Sequence, residues 1–225
     1  MQSEESAPII RSILSAPFGE NSYLIALPGR RDCIVVDPGL QPDKITAELA
    51  TLGLEPVAIL NTHGHADHIA GNAALKRCFP DAPLMIGADD ADKLTDPVGN
   101  LSGGYGMPMV SPAADRTVGE GEVLDLAGVR WTVRETPGHC RGHVVFVALE
   151  LDPIVVLGGD VLFAGGVGRT DFADGDAAAL VTSIREKLFT LPDSAVVLPG
   201  HGPATTVGRE KRSNPFVGEG AMGEW

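Results

Sequence analysis

Four segments of this chain share one layout. VAILNTH (57–63), VRWTVRETPGH (129–139), IVVLGGD (154–160) and AVVLPGH (195–201) each begin with an apolar or β-branched run, pass through one to three turn-type residues, and end on His or Asp. Short apolar runs bounded by turn signals read as buried strands. Buried strands with polar side chains at their ends are how α/β and αβ-sandwich proteins build sites. Four such ends at one sheet edge would gather His63, His139, Asp160 and His201.

The rest of the chain fits the same frame. YLIAL (23–27) and CIVVDPG (33–39) read as two further strands. TAELATLG (46–53), opened by Pro42-Asp43, reads as a helix ending at a Gly cap. Residues 66–79 read as one helix stopped by Pro80, and residues 176–190 as another, with Val181, Ile184 and Leu188 on its core face. Residues 96–122 are rich in Gly and Pro without a period, and form either an active-site cover or a solvated connector. No linker divides the chain, so residues 1–216 are expected to form one domain, with 217–225 a mobile tail.

The densest chemistry lies at the end of the first of the four runs. NTHGHADHIAGN (61–72) holds His63, His65, Asp67 and His68, and thus three of the chain's six histidines. The i, i+2 spacing of His63 and His65 does not suit one helical face and does suit a strand end, with Gly64 allowing unusual backbone angles. Asp67 and His68 then open the next helix. Together with His139, Asp160 and His201 they make seven imidazole and carboxylate donors, a set that suits zinc, iron or manganese. Seven are too many for one tetrahedral zinc and fit two adjacent ions sharing a bridging carboxylate, a hydrolytic arrangement.

Charge narrows the partners. The formal net charge of −13 disfavours nucleic acid and anionic membranes, and an anionic substrate would need a local basic pocket. No apolar run reaches the ~20 residues of a membrane span, and MQSEESAPII has no basic head or apolar centre, so a cytoplasmic location is expected. Cys33, Cys78 and Cys140 are odd in number and widely spaced, unlike a disulfide framework.

The order H-x-H-x-D-H (63–68), His139, Asp160, His201 resembles the metallo-β-lactamase superfamily of metallohydrolases, over nearly the whole chain from Asp37-Pro38-Gly39 to Asn214-Pro215-Phe216. Within it, VGRTDFADGD (167–176), SIREKLFTLP (183–192) and LPGHGPATTVGREKRSNPF (198–216) are similar to glyoxalase II-type hydrolases, especially their short bacterial relatives. The resemblance implies an α+β fold, an αββα sandwich with metals at the shared edge of two sheets. It implies one ion on His63, His65 and His139, a second on Asp67, His68 and His201, and Asp160 bridging. The implied activity is hydrolysis of S-lactoylglutathione or related small acyl thioesters by a metal-bridging hydroxide, with zinc first and iron or manganese next. Asp67 is expected to help orient the nucleophile. Glyoxalase II grips glutathione with a helical C-terminal domain that this match does not include, which leaves the thiol carrier open.

Further residues carry weaker expectations. Arg169 is a candidate carboxylate contact, with an ion pair to Asp171 or Asp174 as the structural reading. Lys211, within the basic run Arg209–Arg212, is either a substrate contact or part of a solvated face. Tyr105, Met107 and Met109 touch substrate if the 96–122 segment is a cover. Asp37, Cys140 and His143 are candidates for positions behind the ligands. Three other functions compete: a mononuclear iron persulfide dioxygenase, a lactone hydrolase, and a non-catalytic metal-binding interaction module. His201 in LPGHGP favours the dinuclear hydrolase over the dioxygenase.

Overall fold

The computed structural model describes residues 7–221. The first sheet is built from β1 (Ile9–Ser15), β2 (Glu20–Ala26), β3 (Asp32–Val36), β4 (Glu55–Asn61), β5 (Leu84–Gly87) and β6 (Arg116–Val118), in that order across the sheet. Its first two pairings are antiparallel and the rest parallel. The second sheet contains β7 (Val123–Leu126), β8 (Val129–Glu135), β9 (Val144–Ala148) and β10 (Val155–Gly159). A small hairpin of β11 (Leu162–Phe163) and β12 (Gly166–Val167) follows, before β13 (Val196–Pro199) and β14 (Thr205–Thr206) complete the order β14-β13-β10-β9-β8-β7.

Period-two alternation turns these strands into four layers. On β3, Ile34 and Val36 point inward to the space between the sheets, where they meet Leu60, Trp131, Val133 and Phe146. Cys33 and Val35 point the other way, onto Ile45 and Leu49 of α1 (Pro42–Leu52) and Leu75 of α3 (Asn72–Cys78). On the second sheet Val145, Val147, Val156 and Val197 face Leu180 of α4 (Ala177–Ser183) and Val207 of α5 (Val207–Ser213). Both faces of both sheets are therefore covered, which is why the strands read as continuous apolar runs. The architecture is the expected αββα sandwich.

Two helices depart from the sequence reading. The span 66–79 is broken into α2 (Ala66–Ile69) and α3. At the break the Gly71 N–H leaves the helix ladder to bond the Pro38 carbonyl at 2.7 Å, while Asn61 Nδ2 takes the His68 carbonyl at 3.1 Å. The span 176–190 starts at an Asp176 cap, which accepts from Ala179 N–H, and widens to π geometry over Ile184–Leu188.

The 96–122 segment is not structureless. It contains a 3₁₀ turn at Ser102–Tyr105 and the strand β6. Buried Asn100 organises it, donating to the carbonyls of Lys93 and Met109 at 3.1 and 3.0 Å and accepting from Ser102. Val217 is buried against the second sheet's helices, so packing continues past residue 216; residues 222–225 lie outside the described residues. Among the described residues no helix is long and apolar enough to cross a membrane.

Candidate metal centre

The four strand ends do converge, and from both sheets. The turn after β4 carries His63 and His65, and α2 carries Asp67 and His68. The turns after β8, β10 and β13 carry His139, Asp160 and His201. Ligand atoms fall into three overlapping groups, each within 4.8 Å: His63, His65, His139; His63, His68, Asp160; and Asp67, His68, His201. Asp160 lies between the outer two groups. Its Oδ1 is 3.5 Å from His68 Nε2, and its Oδ2 is 3.7 Å from His139 Nε2 and 3.6 Å from His201 Nε2. Asp67 Oδ2 is 3.3 Å from His201 Nε2.

The inward atoms lack partners of their own. Nε2 of His63, His65 and His68 and Oδ1 of Asp160 are buried without a hydrogen bond. Four unpaired donor atoms at one point are too costly for an apolar packing site. They suit divalent cations held by nitrogen and oxygen, and the donor set carries no thiolate.

A second layer sets which nitrogen faces inward. His68 Nδ1 donates to Asp37 Oδ2 at 3.0 Å, and His139 Nδ1 donates to the Arg169 carbonyl at 2.7 Å. Thr62 Oγ1 donates to Asp37 at 2.7 Å and lies 3.0 Å from His63 Nδ1, whose proton it can accept. Each bond leaves an Nε2 lone pair for the cluster. Asp37 makes these contacts from a left-handed backbone with φ 45°, an uncommon conformation for a non-glycine residue. Turn former and orienting group are thus the same residue. His143 stacks on His63 and holds Asp160 from behind: its Nε2 accepts the Asp160 N–H at 3.0 Å, and its Nδ1 donates to Thr136 Oγ1 at 2.9 Å.

Electrostatics keep most of these rings neutral. Burial, with neighbouring histidines, pushes His63 well below its usual range, and pulls His65 and His143 down to about 3. Burial acts the same way on His68, but Asp160 and Asp67 outweigh it and hold that ring well above its ordinary value. Burial pushes Asp160 up, and His68, His139 and His201 more than reverse it.

The weaker expectations separate. Tyr105 lines the cavity beside the cluster, as do Met107 and Met109, so the long segment is a wall of the site. Arg169 lines it too, but its guanidinium is bonded to Asp171 at 2.9 and 2.8 Å. Lys211, on α5, is not among the cavity-lining residues; its Nζ lies 3.8 Å from Asp193, which favours the solvated-face reading. Cys140 donates its thiol to Asp90 at 3.2 Å.

Several contributors carried no motif. Asp90, Cys140 and Asp174 form another close donor group, but Lys93 Nζ occupies it at 2.9 Å from Asp90 and 2.7 Å from Asp174. Asn21 of β2 grips the His201 turn: its N–H bonds Gly200 O at 2.7 Å, and its Nδ2 bonds Pro199 O and Gly202 O at 3.1 and 2.8 Å. Tyr23 OH adds a bond to Pro199 O at 2.7 Å. The signal for this latch was the polar run Glu20-Asn21-Ser22 opening an otherwise apolar strand.

Comparison with known proteins agrees with this geometry. Residues 16–201 match the family model of the metallo-beta-lactamase superfamily. Hydroxyacylglutathione hydrolase GloC of Haemophilus influenzae is 37% identical over 203 residues, covering 89% of this chain and 93% of GloC. The BLEG-1 B3 metallo-beta-lactamase structure superposes with a TM-score of 0.88 at 32% identity, covering 93% of this chain and 99% of its own. TTHA1623, solved in a di-iron-bound form, gives 0.80 at 36% identity, covering 92% and 99%. Fold, donor order and family match coincide, and this chain belongs to the metallo-beta-lactamase superfamily.

Proposed function

We propose that this chain is a dinuclear metal-dependent hydrolase of thioesters, glyoxalase II-like in reaction, acting on S-lactoylglutathione or related small acyl thioesters. The observation that carries the reading is the set of overlapping donor groups with Asp160 between them. His63, His65 and His139 would hold one ion, Asp67, His68 and His201 the other, and Asp160 would reach both. Zinc suits this donor set best, with iron or manganese next. Divalent ions bound there supply Lewis acidity toward a carbonyl oxygen and activate water at neutral pH.

The chain's own residues do the positioning. Asp37, Thr62 and the Arg169 carbonyl hold the rings with lone pairs inward. Asp67 lines the cavity beside His201, and in this reading it would accept a hydrogen bond from the nucleophile. The leaving thiolate has a parent pKa of about 8.5, so departure needs no separate general acid. Similarity to GloC supports thioester hydrolysis.

The test is to measure bound Zn, Fe and Mn, then follow thiol release from S-lactoylglutathione and an acyl-thioester panel alongside oxygen uptake on glutathione persulfide. Two ions per chain with thiol release is the expected result. About one iron per chain with oxygen uptake and no thiol release would sink the hydrolase reading in favour of the dioxygenase. Bound metal with activity only on lactones, or on nothing, would favour the lactonase or the binding module.

A further inference from the structure

The cavity beside the cluster has a volume of about 310 Å³, and its lining mixes two chemistries. Five of the proposed ligands line it: His65, Asp67, His139, Asp160 and His201. Most of the remaining lining is apolar, with Phe18, Tyr105, Met107 and Met109 beside Phe172 and Phe163, whose rings pack edge-on against His65 and His139 and against His201. Phe18 and Tyr105 meet edge to face with ring centroids 5.6 Å apart. Phe18, Tyr105 and Met107 are 41%, 59% and 60% exposed, so each offers apolar surface to whatever enters the cavity. Methionines adapt to ligands of varied outline.

Cations are scarce along this cavity among the described residues. Arg169 is the one Lys or Arg among the lining residues, and it is already engaged: Asp171 takes two of its N–H groups, and its Cζ sits 4.9 Å over the Phe172 ring. Lys93 is bonded to Asp90 and Asp174, and Lys211 faces Asp193. The net charge of −13 adds a repulsive background for anions. Glutathione carries two carboxylates, and carboxylates are recognised by free Arg or Lys forks.

Resting on the thioester reading, we propose that the substrate's non-reacting part is an uncharged apolar group, seated against Phe18, Tyr105, Met107 and Phe163. The group is either the acyl chain or the body of a neutral thiol. A glutathione carrier is disfavoured. An apolar wall joined to a polar reacting edge is the usual build of a small-molecule site.

Two measurements on the metal-loaded protein test this. In the first, kcat/KM is followed along acetyl, butanoyl and hexanoyl thioesters of N-acetylcysteamine, and along acetyl thioesters of ethanethiol, butanethiol and hexanethiol. S-Lactoylglutathione is the charged reference. One series is expected to rise about fourfold per added methylene, the factor equivalent to about 0.8 kcal/mol, and so to identify which side of the thioester is apolar. Met107→Asp is expected to flatten that series. Two flat series, or S-lactoylglutathione exceeding every neutral thioester, would overturn the proposal.

The second measurement does not need turnover. Calorimetric titration compares S-hexyl-N-acetylcysteamine with S-hexylglutathione, two thioethers that cannot be hydrolysed. The neutral compound is expected to bind at least about tenfold more tightly; equal or reversed affinities would overturn the proposal. If no thioester is cleaved and the neutral thioether still prevails, the proposed reaction is wrong and the apolar site stands. If thioesters are cleaved and S-hexylglutathione prevails, the reaction stands and the apolar site is wrong.

Discussion

Asp90 and Gly64 are joined by a hydrogen bond of 2.8 Å, from the Gly64 N–H to Asp90 Oδ2. Gly64 is the residue between His63 and His65. The same carboxylate accepts the Gly142 N–H at 3.0 Å and the Cys140 thiol at 3.2 Å, on the turn that carries His139. One buried Asp thus ties together the two turns that bear the first donor group, and Lys93 balances its charge.

Asp90→Asn should therefore loosen the proposed first ion without touching it. An amide nitrogen repels one of the N–H donors, and Lys93 keeps only Asp174 of its two carboxylate partners. Metal affinity measured by competition with a chelator is expected to fall about 10- to 100-fold, the usual cost of losing an outer-layer partner, with far-UV circular dichroism unchanged. Unchanged affinity would show that the turns hold themselves.

His201 tests the second ion. His201→Ala is expected to lower bound metal from two ions per chain to about one and to reduce thiol release, while the His63, His65 and His139 group stays intact. Full metal content with full activity would count against a dinuclear centre. Stripping metal from the wild type with a chelator is expected to lower Tm, and restoring zinc to raise it again, because an ion bound only by the folded state stabilises by mass action.

Gly200 lies where no side chain fits. A Cβ there would stand 2.2 Å from Asp160 Oδ1 and 2.6 Å from His68 Cε1. Gly200→Ala is expected to displace both donors and to reduce thiol release at least about tenfold. Its loss of stability in urea should stay within about 1–3 kcal/mol, the range for overpacking a close-fitting site. Wild-type activity in this variant would show that the turn yields instead.

Glu20 supplies a pH test of the metal-free fold. It is fully buried, and among the described residues its carboxylate's hydrogen-bond partner is the Ser22 hydroxyl, at 3.3 and 3.4 Å. Burial above all, with Asp37 and Asp67 adding to it against an opposing His68, raises its carboxyl from 4.5 to about 9. The unfolded chain therefore gives up this proton more readily than the folded one. The group's contribution is fully present below pH 4.5 and is lost as pH rises toward 9. In metal-free protein Glu20→Gln is expected to gain stability over wild type by about 1–3 kcal/mol at pH 8.5, and much less at pH 5.5. Urea midpoints at the two pH values measure it, and an equal effect at both would refute the assignment.

Much of the site was legible because metal chemistry is written in residue type and local spacing. His63, His65, Asp67 and His68 lie within six positions, and the three distant donors follow apolar runs that only a strand reading explains. Legibility failed where the partner was remote or the group had an ordinary alternative. Arg169 reads equally as a substrate contact or as an ion pair with Asp171 or Asp174, and the pairing with Asp171 is visible only in the folded turn. Lys211 carries the right charge on a helix that faces away from the cavity toward Asp193. The break at Gly71 could not be seen in a helical pattern, because the competing acceptor, Pro38 O, comes from another strand's turn.

By itself the sequence determined where the apolar runs end and which seven imidazole and carboxylate side chains follow or adjoin those ends, and its family resemblance implied the layers. Alternation, turn residues and donor types are local properties, and the stretch from residue 16 to 201 carries all of them. Tertiary structure alone decided how those donors are held and what the cavity beside them presents. Asn21 in the first sheet grips the His201 turn of the second, 180 residues away in number and one hydrogen bond away in space. The orienting bonds of Asp37 and Asp90, and the apolar wall of Phe18, Tyr105 and Met107, likewise join segments far apart in the chain. Such contacts depend on side-chain direction after the sheets have packed, and no periodicity along the chain encodes that.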